Sequence, residues 1–403
     1  MIIQNRNRNR IRSFHAPERP KISTNTVRTT AISHSGPAPK RSSRSFSRKR
    51  FVNSNSRFGH AENQKPIGKP TTETLSLPKV EENIRIIPLG GVEEIGKNLT
   101  VVEIGDDILI IDAGFQFRDE DTPGVDYILP NTKYLEERKE KIRGVIITHG
   151  HLDHIGGIPY IMYRIGNPPI YSRALTTVMI KKRQEEFPHL PPLDIKVVEK
   201  EDVIVLGKLR VKFFNVTHTI PDAMGIIIET PYGSIVTPGD IKLEHENGIP
   251  TEREEEEYKR FENDKVLLLM MDSTNVDNPG FSTPEKVVCK NLEEIIKNTK
   301  RRLIIGTFAS QLERIIAIIE SAEKYGKKVV VEGRSMKQNI EIAMALDRLK
   351  VKKETIVSVE DIENYPPDRM VVLATGAQGD EFAALMRMSN KSHKYMKIGK
   401  RDT

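Results

Sequence analysis

Residues 145–161 read VIITHGHLDHIGGIPYI. A short β-branched apolar strand, Val145 to Ile147, runs straight into three histidines and an aspartate, then two glycines and a proline. Packing alone does not ask for His149, His151, Asp153 and His154 so close together. Side chains repeat every second residue in an extended chain, so His149 and His151 lie on one side of the strand end and can meet one metal ion. Asp153 and His154 fall at the turn into the next helix and suit a second. Gly150, Gly156 and Gly157 relieve crowding where backbone and metal come close. Imidazole and carboxylate donors together favour zinc, with manganese as the alternative. The chain has a single cysteine, Cys289, which reads as a small core residue in a helix. Any metal site must therefore use His and carboxylates.

Other strand ends offer further donors. NVTHTIPDAMG supplies His218 directly after an apolar strand, and SIVTPGDIK supplies Asp240 in the same topological position. ILIIDAG supplies Asp112, better placed to orient a ligand through hydrogen bonds than to bind metal. Each residue alone could be a satisfied core or turn residue. Three or four strands ending in His or Asp at one sheet edge define a site. His189, His245 and His393 lack such a setting and read as ordinary solvated residues.

The surrounding chain divides by texture. Residues 1–78 hold 16 Lys and Arg against three acids, so the net charge of +7 conceals a basic arm on an acidic body. The arm is rich in Arg, Ser, Asn and Pro and reads as disordered, because it cannot bury enough surface to offset its chain entropy. Its cations suit contacts to the phosphates of a polyanion, with a solubilising tail as the alternative reading. Residues 79–283 read as a mixed, metal-bearing α/β unit. Within it the spacing predicts a helix over 131–143 capped by Asn131, a helix resuming at Ile158, and a closing apolar strand in KVLLLMMDSTN. From residue 284 to 403, helices and strands alternate strictly, which argues for a parallel sheet with right-handed crossovers. The longest apolar run, VLLLMM, is far short of the ~18 residues a membrane span needs. With no secretory signal and one cysteine, a cytoplasmic location is expected.

With these residues in hand, HxHxDH together with Asp112, His218 and Asp240 resembles the metallo-β-lactamase superfamily. PLGGVEEIGKNL (88–99), DSTN (272–275), TFASQLERI (307–315), EGRSM (332–336) and ATGAQGDEFAAL (374–385) narrow the resemblance to the ribonuclease J family of the β-CASP branch. It covers about residue 82 to the end. The implied fold is α/β: a metallo-β-lactamase αββα sandwich, incomplete here, with an inserted β-CASP α/β domain. The resemblance assigns His149, His151 and His218 to one zinc, Asp153 and His154 to a second, and Asp240 to both. Asp153 would also hold the attacking water or take its proton. Asp272 would lie near the metals. Ala309, Ser310 and Gln311 would lie along the RNA path, although Ser310-Gln311 also reads as a helix N-cap. TPGVD resembles a loop that can hold a structural calcium through Gly124 and Asp126.

The implied activity is 5′→3′ exonuclease and endonuclease cleavage of RNA in maturation and decay, rRNA processing included. The implied partners are RNA, a second or further copies in a homodimer or homotetramer, and other RNA-decay proteins. Gln311 stands where Asn is more usual, and Pro238 is an unusual neighbour of Gly239-Asp240. Family members continue past the KIGKRDT end with an HxSGH segment and a later His-Gly-Glu. An incomplete reading frame is therefore expected, poorly soluble and nearly inactive alone. Two competing readings are a small-molecule metallo-hydrolase and a catalytically silent RNA-binding fragment. The second α/β unit argues against the former; the intact donor set argues against the latter, and the expected loss of the C-terminal segments argues for it.

Overall fold

The computed structural model describes residues 83–117, 124–377, 383–400 and 402–403. The basic arm and residues 378–382 of the ATGAQGDEFAAL stretch lie outside them.

The strand Asp107–Ile111 has every residue buried, so both its faces are covered. Ile108 and Ile110 point to one side, against Ile155, Ile158, Ile161 and Ile180 from helical segments. Leu109 and Ile111 point to the other, against Phe213, Ile226, Ile228 and Ile235 of a second sheet. The far face of that second sheet, with Phe214, Ile227 and Val236, lies under Tyr258 and Phe261. Period-two alternation thus builds four layers: helix, sheet, sheet, helix.

The first sheet has six strands in the spatial order Ile84–Gly90, Leu99–Ile104, Asp107–Ile111, Ile142–Ile146, Ile170–Ser172, Ile195–Val197. Its first three strands pair antiparallel and the rest parallel. The second has five, ordered Val266–Leu269, Gly233–Thr237, Met224–Thr230, Leu209–Asn215, Val203–Leu206. Strands Asp107–Ile111, Ile142–Ile146, Leu209–Asn215 and Gly233–Thr237 each run into a loop that carries a site residue, Asp112, His149, His218 or Asp240.

The later part of the chain forms a four-stranded parallel sheet, ordered Leu303–Gly306, Met370–Ala374, Lys328–Glu332, Ile356–Val357. The helices Glu285–Asn298, Leu312–Lys324 and Arg334–Ala345 alternate with its strands, as the sequence pattern predicts. Leu175 and Ile220, from the earlier α/β unit, are fully buried within this later core. At about 1.5–3 kcal/mol for each such side chain, the shared core is a substantial tie between the two.

Local differences from the sequence reading have physical causes. The expected helix over 131–143 is a single turn, Lys133–Glu136, then a 3₁₀ turn, Lys139–Lys141, and strand from Ile142. Leu135 is the one residue this turn buries, and so short a helix without an apolar stripe is not held by packing. Thr132 takes the N-cap position, and Asn131 accepts from the backbone N–H of Lys133 instead. The helix at Ile158 stops at Ile161 after one turn. The apolar strand Val266–Leu269 lies at a sheet edge: Leu268 and Met270 face the core, while Leu267, Leu269 and Met271 are 49–54% exposed. His393 is not solvated. It is buried, its Nε2–H donates to Glu332 at 3.1 Å, and its Nδ1 accepts from the backbone N–H of Met396. His245 likewise has a protein partner, the Ser282 carbonyl at 2.9 Å.

Candidate metal centre

Asp112 adopts a left-handed backbone, φ +61°. That conformation is uncommon for a residue with a side chain and persists only where the surroundings fix it. Here they do: its N–H donates to the Ile146 carbonyl at 2.9 Å, and its carboxylate accepts the N–H and Oγ1–H of Thr148. The same carboxylate takes the Nδ1–H of His154 at 2.8 Å. His154 is thereby held with its Nε2 facing Asp240 Oδ1 at 3.3 Å and Asp153 Oδ2 at 3.4 Å. Gly114 is required beside this pair, since a Cβ there would fall 1.5 Å from the Asp153 carbonyl oxygen.

A second group of donors faces the first. His149 Nε2 lies 2.9 Å from His151 Nδ1, which is 3.3 Å from His218 Nε2. Asp240 Oδ2 is 4.0 Å from His149 Nε2 and 3.8 Å from His218 Nε2. The described residues thus hold two metal-ligating groups, His149–His151–His218–Asp240 and Asp153–His154–Asp240, with Asp240 common to both. Three imidazole nitrogens converging on one point cannot all be satisfied by sharing protons. A cation satisfies all three, so the donor set fits a metal ion.

Electrostatics divides the two groups. Burial, then the neighbouring imidazoles, hold His149 well below its ordinary pKa; burial and His151 bring His218 down to about 4. Burial also lowers His151. These rings are neutral at pH 7, the form that binds metal. His154 goes the other way: burial would lower it, but Asp112, Asp153 and Asp240 outweigh that and raise it well above normal. Burial opposes ionisation of Asp240, yet contact with His154 pulls it down to about 2. Asp153 is lowered by the same neighbour, against its burial. Surplus negative charge gathers where the second ion would sit.

The loop preceding the helix Leu312–Lys324 reaches this centre. The Ser310 carbonyl accepts from His151 Nε2 at 3.1 Å. Ala309 offers its carbonyl to Asn339, and Gln311 Oε1 accepts from Thr307 and Arg314. Gln311 sits at the N-cap position but makes no side-chain cap bond there. Asp272 accepts the N–H of Ile241 at 3.4 Å, next to Asp240. A cleft of about 490 Å³ opens from His151 and Asp153 between the two α/β parts, lined by Phe117, Lys182, Arg183, Phe308, Ser310 and Arg334 among others. Gly124 and Asp126 join no metal-ligating group among the described residues. Sequence reading missed Thr148, Asn98 and Arg334. Of these, Asn98, whose Nδ2 lies 3.1 Å from His154 Nε2, and Arg334 each carry a signal, in the GKNL and EGRSM motifs.

The layered αββα body with this donor set at its strand ends has the metallo-β-lactamase fold, and residues 93–274 match the model of the metallo-β-lactamase superfamily. Residues 300–403 match the model described as Ribonuclease J, beta-CASP domain, so the later α/β part is a β-CASP domain of the ribonuclease J type. The chain is 35% identical over 325 residues to Ribonuclease J2 of Bacillus subtilis, covering 81% of this chain and 58% of that protein. It is 38% identical over 332 residues to Ribonuclease J of Thermus thermophilus, covering 80% of this chain and 57% of that protein. The chain therefore spans a little over half the length of these relatives. A crystal structure of a protein of unknown function from Enterococcus faecalis V583 shares the fold, with a TM-score of 0.54 at 19% identity, covering 72% of this chain and 76% of that one.

Proposed function

We propose that this chain carries the catalytic centre of a metal-dependent ribonuclease that hydrolyses RNA phosphodiesters, by 5′→3′ exonuclease and endonuclease action in RNA maturation and decay. One observation carries the reading: Asp240 is common to two donor groups at the mouth of a cleft with cationic and aromatic walls. Two divalent ions, zinc or manganese, would supply an acidified water and neutralise charge on the phosphodiester. His149, His151, His218 and Asp240 would hold one, and Asp153, His154 and Asp240 the other. Asp112 orients His154. Asp153, ionised at neutral pH, is placed to accept a proton from the attacking water at its carboxylate.

Lys182, Arg183 and Arg334 suit the phosphates of a single strand, and the exposed rings of Phe117 and Phe308 suit stacked bases. The basic arm at residues 1–78 adds salt-sensitive affinity. Ala309, Ser310 and Gln311 line the RNA path, Gly124 and Asp126 take a structural calcium, and the enzyme works in the cytoplasm as a dimer or tetramer with other RNA-decay proteins.

The test is cleavage of 5′-monophosphorylated RNA by the full-length protein with and without chelator, alongside His149→Ala and Asp153→Ala. Both variants should fold and should lose at least ~100-fold in rate, as expected when a group that stabilises charge in the transition state is removed. Wild-type rates in either would sink the metallonuclease reading.

A further inference from the structure

His151 is gripped from two sides of the molecule. Its Nδ1 faces His149 and His218, and its Nε2 meets the Ser310 carbonyl, 159 residues away in the β-CASP domain. An imidazole that donates Nε2–H to a carbonyl keeps its lone pair on Nδ1, the nitrogen turned toward the donor cluster. The other two histidines of this cluster are less well supported. His149 Nδ1 has Thr148 Oγ1 at 3.1 Å, and His218 Nδ1 is buried with no hydrogen-bond partner among the described residues. We propose that the β-CASP domain is a working part of this metal site: the Ser310 carbonyl sets the tautomer and tilt of His151, and Gln311 is the positioning residue that holds the carbonyl there.

The contacts that fix the carbonyl lead back to the same site. Ser310 also accepts from the N–H of Leu312 at 2.9 Å, which ties it to the start of its helix. Gln311 Oε1 closes the loop by accepting from Thr307 Oγ1 at 3.1 Å and from Arg314 at 2.6 Å. Arg314 grips Glu285 with two parallel bonds, of 2.6 and 2.8 Å, the strong geometry for this pair. Glu285 pairs in turn with Lys242, two residues beyond Asp240. The Lys242 N–H donates to the Thr217 carbonyl at 2.8 Å, beside His218. A closed circuit of contacts thus joins the Ser310 loop to the segments that carry the other donors.

Separation of the two domains across the cleft would withdraw the carbonyl from His151. Metal affinity and cleft closure are then linked, each favouring the other by the same factor. This inference rests on the metal-site reading given above and is independent of the substrate.

The experiment measures zinc affinity by chelator competition in the full-length protein, without RNA. Gln311→Leu keeps approximate size but cannot accept from Thr307 or Arg314, whereas Gln311→Glu keeps an acceptor oxygen. Loss of an outer-shell partner of a metal ligand costs about 10–100-fold in affinity, the fall expected for Gln311→Leu with Gln311→Glu close to wild type. Equal affinity in Gln311→Leu and wild type overturns the inference and leaves the ribonuclease reading standing. Failure of the wild type to take up zinc at all overturns both. If Gln311→Leu does not fold, Glu285→Gln decides, since it loosens the same circuit one contact further out: weaker zinc binding supports the inference, and unchanged binding overturns it.

Discussion

The carboxylate of Asp112 and the ring of His154 lie 2.8 Å apart, and Asp112 occupies left-handed backbone to make that contact. The strain is spent on aiming one imidazole. Asn tolerates the same backbone, so Asp112→Asn removes the charge without the conformational penalty. Metal affinity at the Asp153–His154–Asp240 group should fall about 10–100-fold. Metal analysis after dialysis should find one ion lost and thermal stability nearly kept. Two ions retained per chain would show that Asp112 does not orient His154.

Glu285 gives a pH dependence whose sign can be worked out. Arg314 first, against some burial, and then Lys242 depress its carboxyl from 4.5 to about 2 in the folded protein. A depressed carboxyl contributes stability above its unfolded pKa and loses it as pH falls through the folded value. In urea denaturation, wild type should exceed Glu285→Gln by a constant margin from pH 6 to 8. The margin should shrink below pH 4.5 and vanish near pH 2. A margin unaffected by acid would mean that the ion pairs contribute nothing.

Leu269 is 54% exposed on an edge strand, in an apolar groove of about 660 Å³ with Leu243, Phe261 and Met271. Uncovered apolar strand edges favour association. Leu269→Lys should therefore lower light scattering of the 403-residue chain at a given concentration, with the melting temperature little changed. Scattering equal to the wild type would place the association surface elsewhere.

The sequence made the donor cluster legible because its geometry is local. His149, His151, Asp153 and His154 are fixed by one strand end, and the strand–loop pattern repeats at His218 and Asp240. Contacts made across the chain left no such mark. Nothing in TFASQLERI announces that the Ser310 carbonyl will meet His151. His393 reads as an isolated polar residue, and only the fold brings Glu332 beside it. Residues 131–143 carry charges at helical spacing, but spacing cannot tell that Ile142 is claimed by the sheet. VLLLMM is apolar whether its strand is covered or lies at an edge, so composition alone could not place it.

Leu175 and Ile220 belong by sequence to the lactamase part and by packing to the β-CASP core. Ile220 lies two residues beyond His218. Melting of the β-CASP core would strip the apolar cover from the very loop that carries a metal donor. Leu175 and Ile220 thus tie the unfolding of one domain to that of the other, and an intermediate that kept only the lactamase sheets would leave the loop of His218 without that cover.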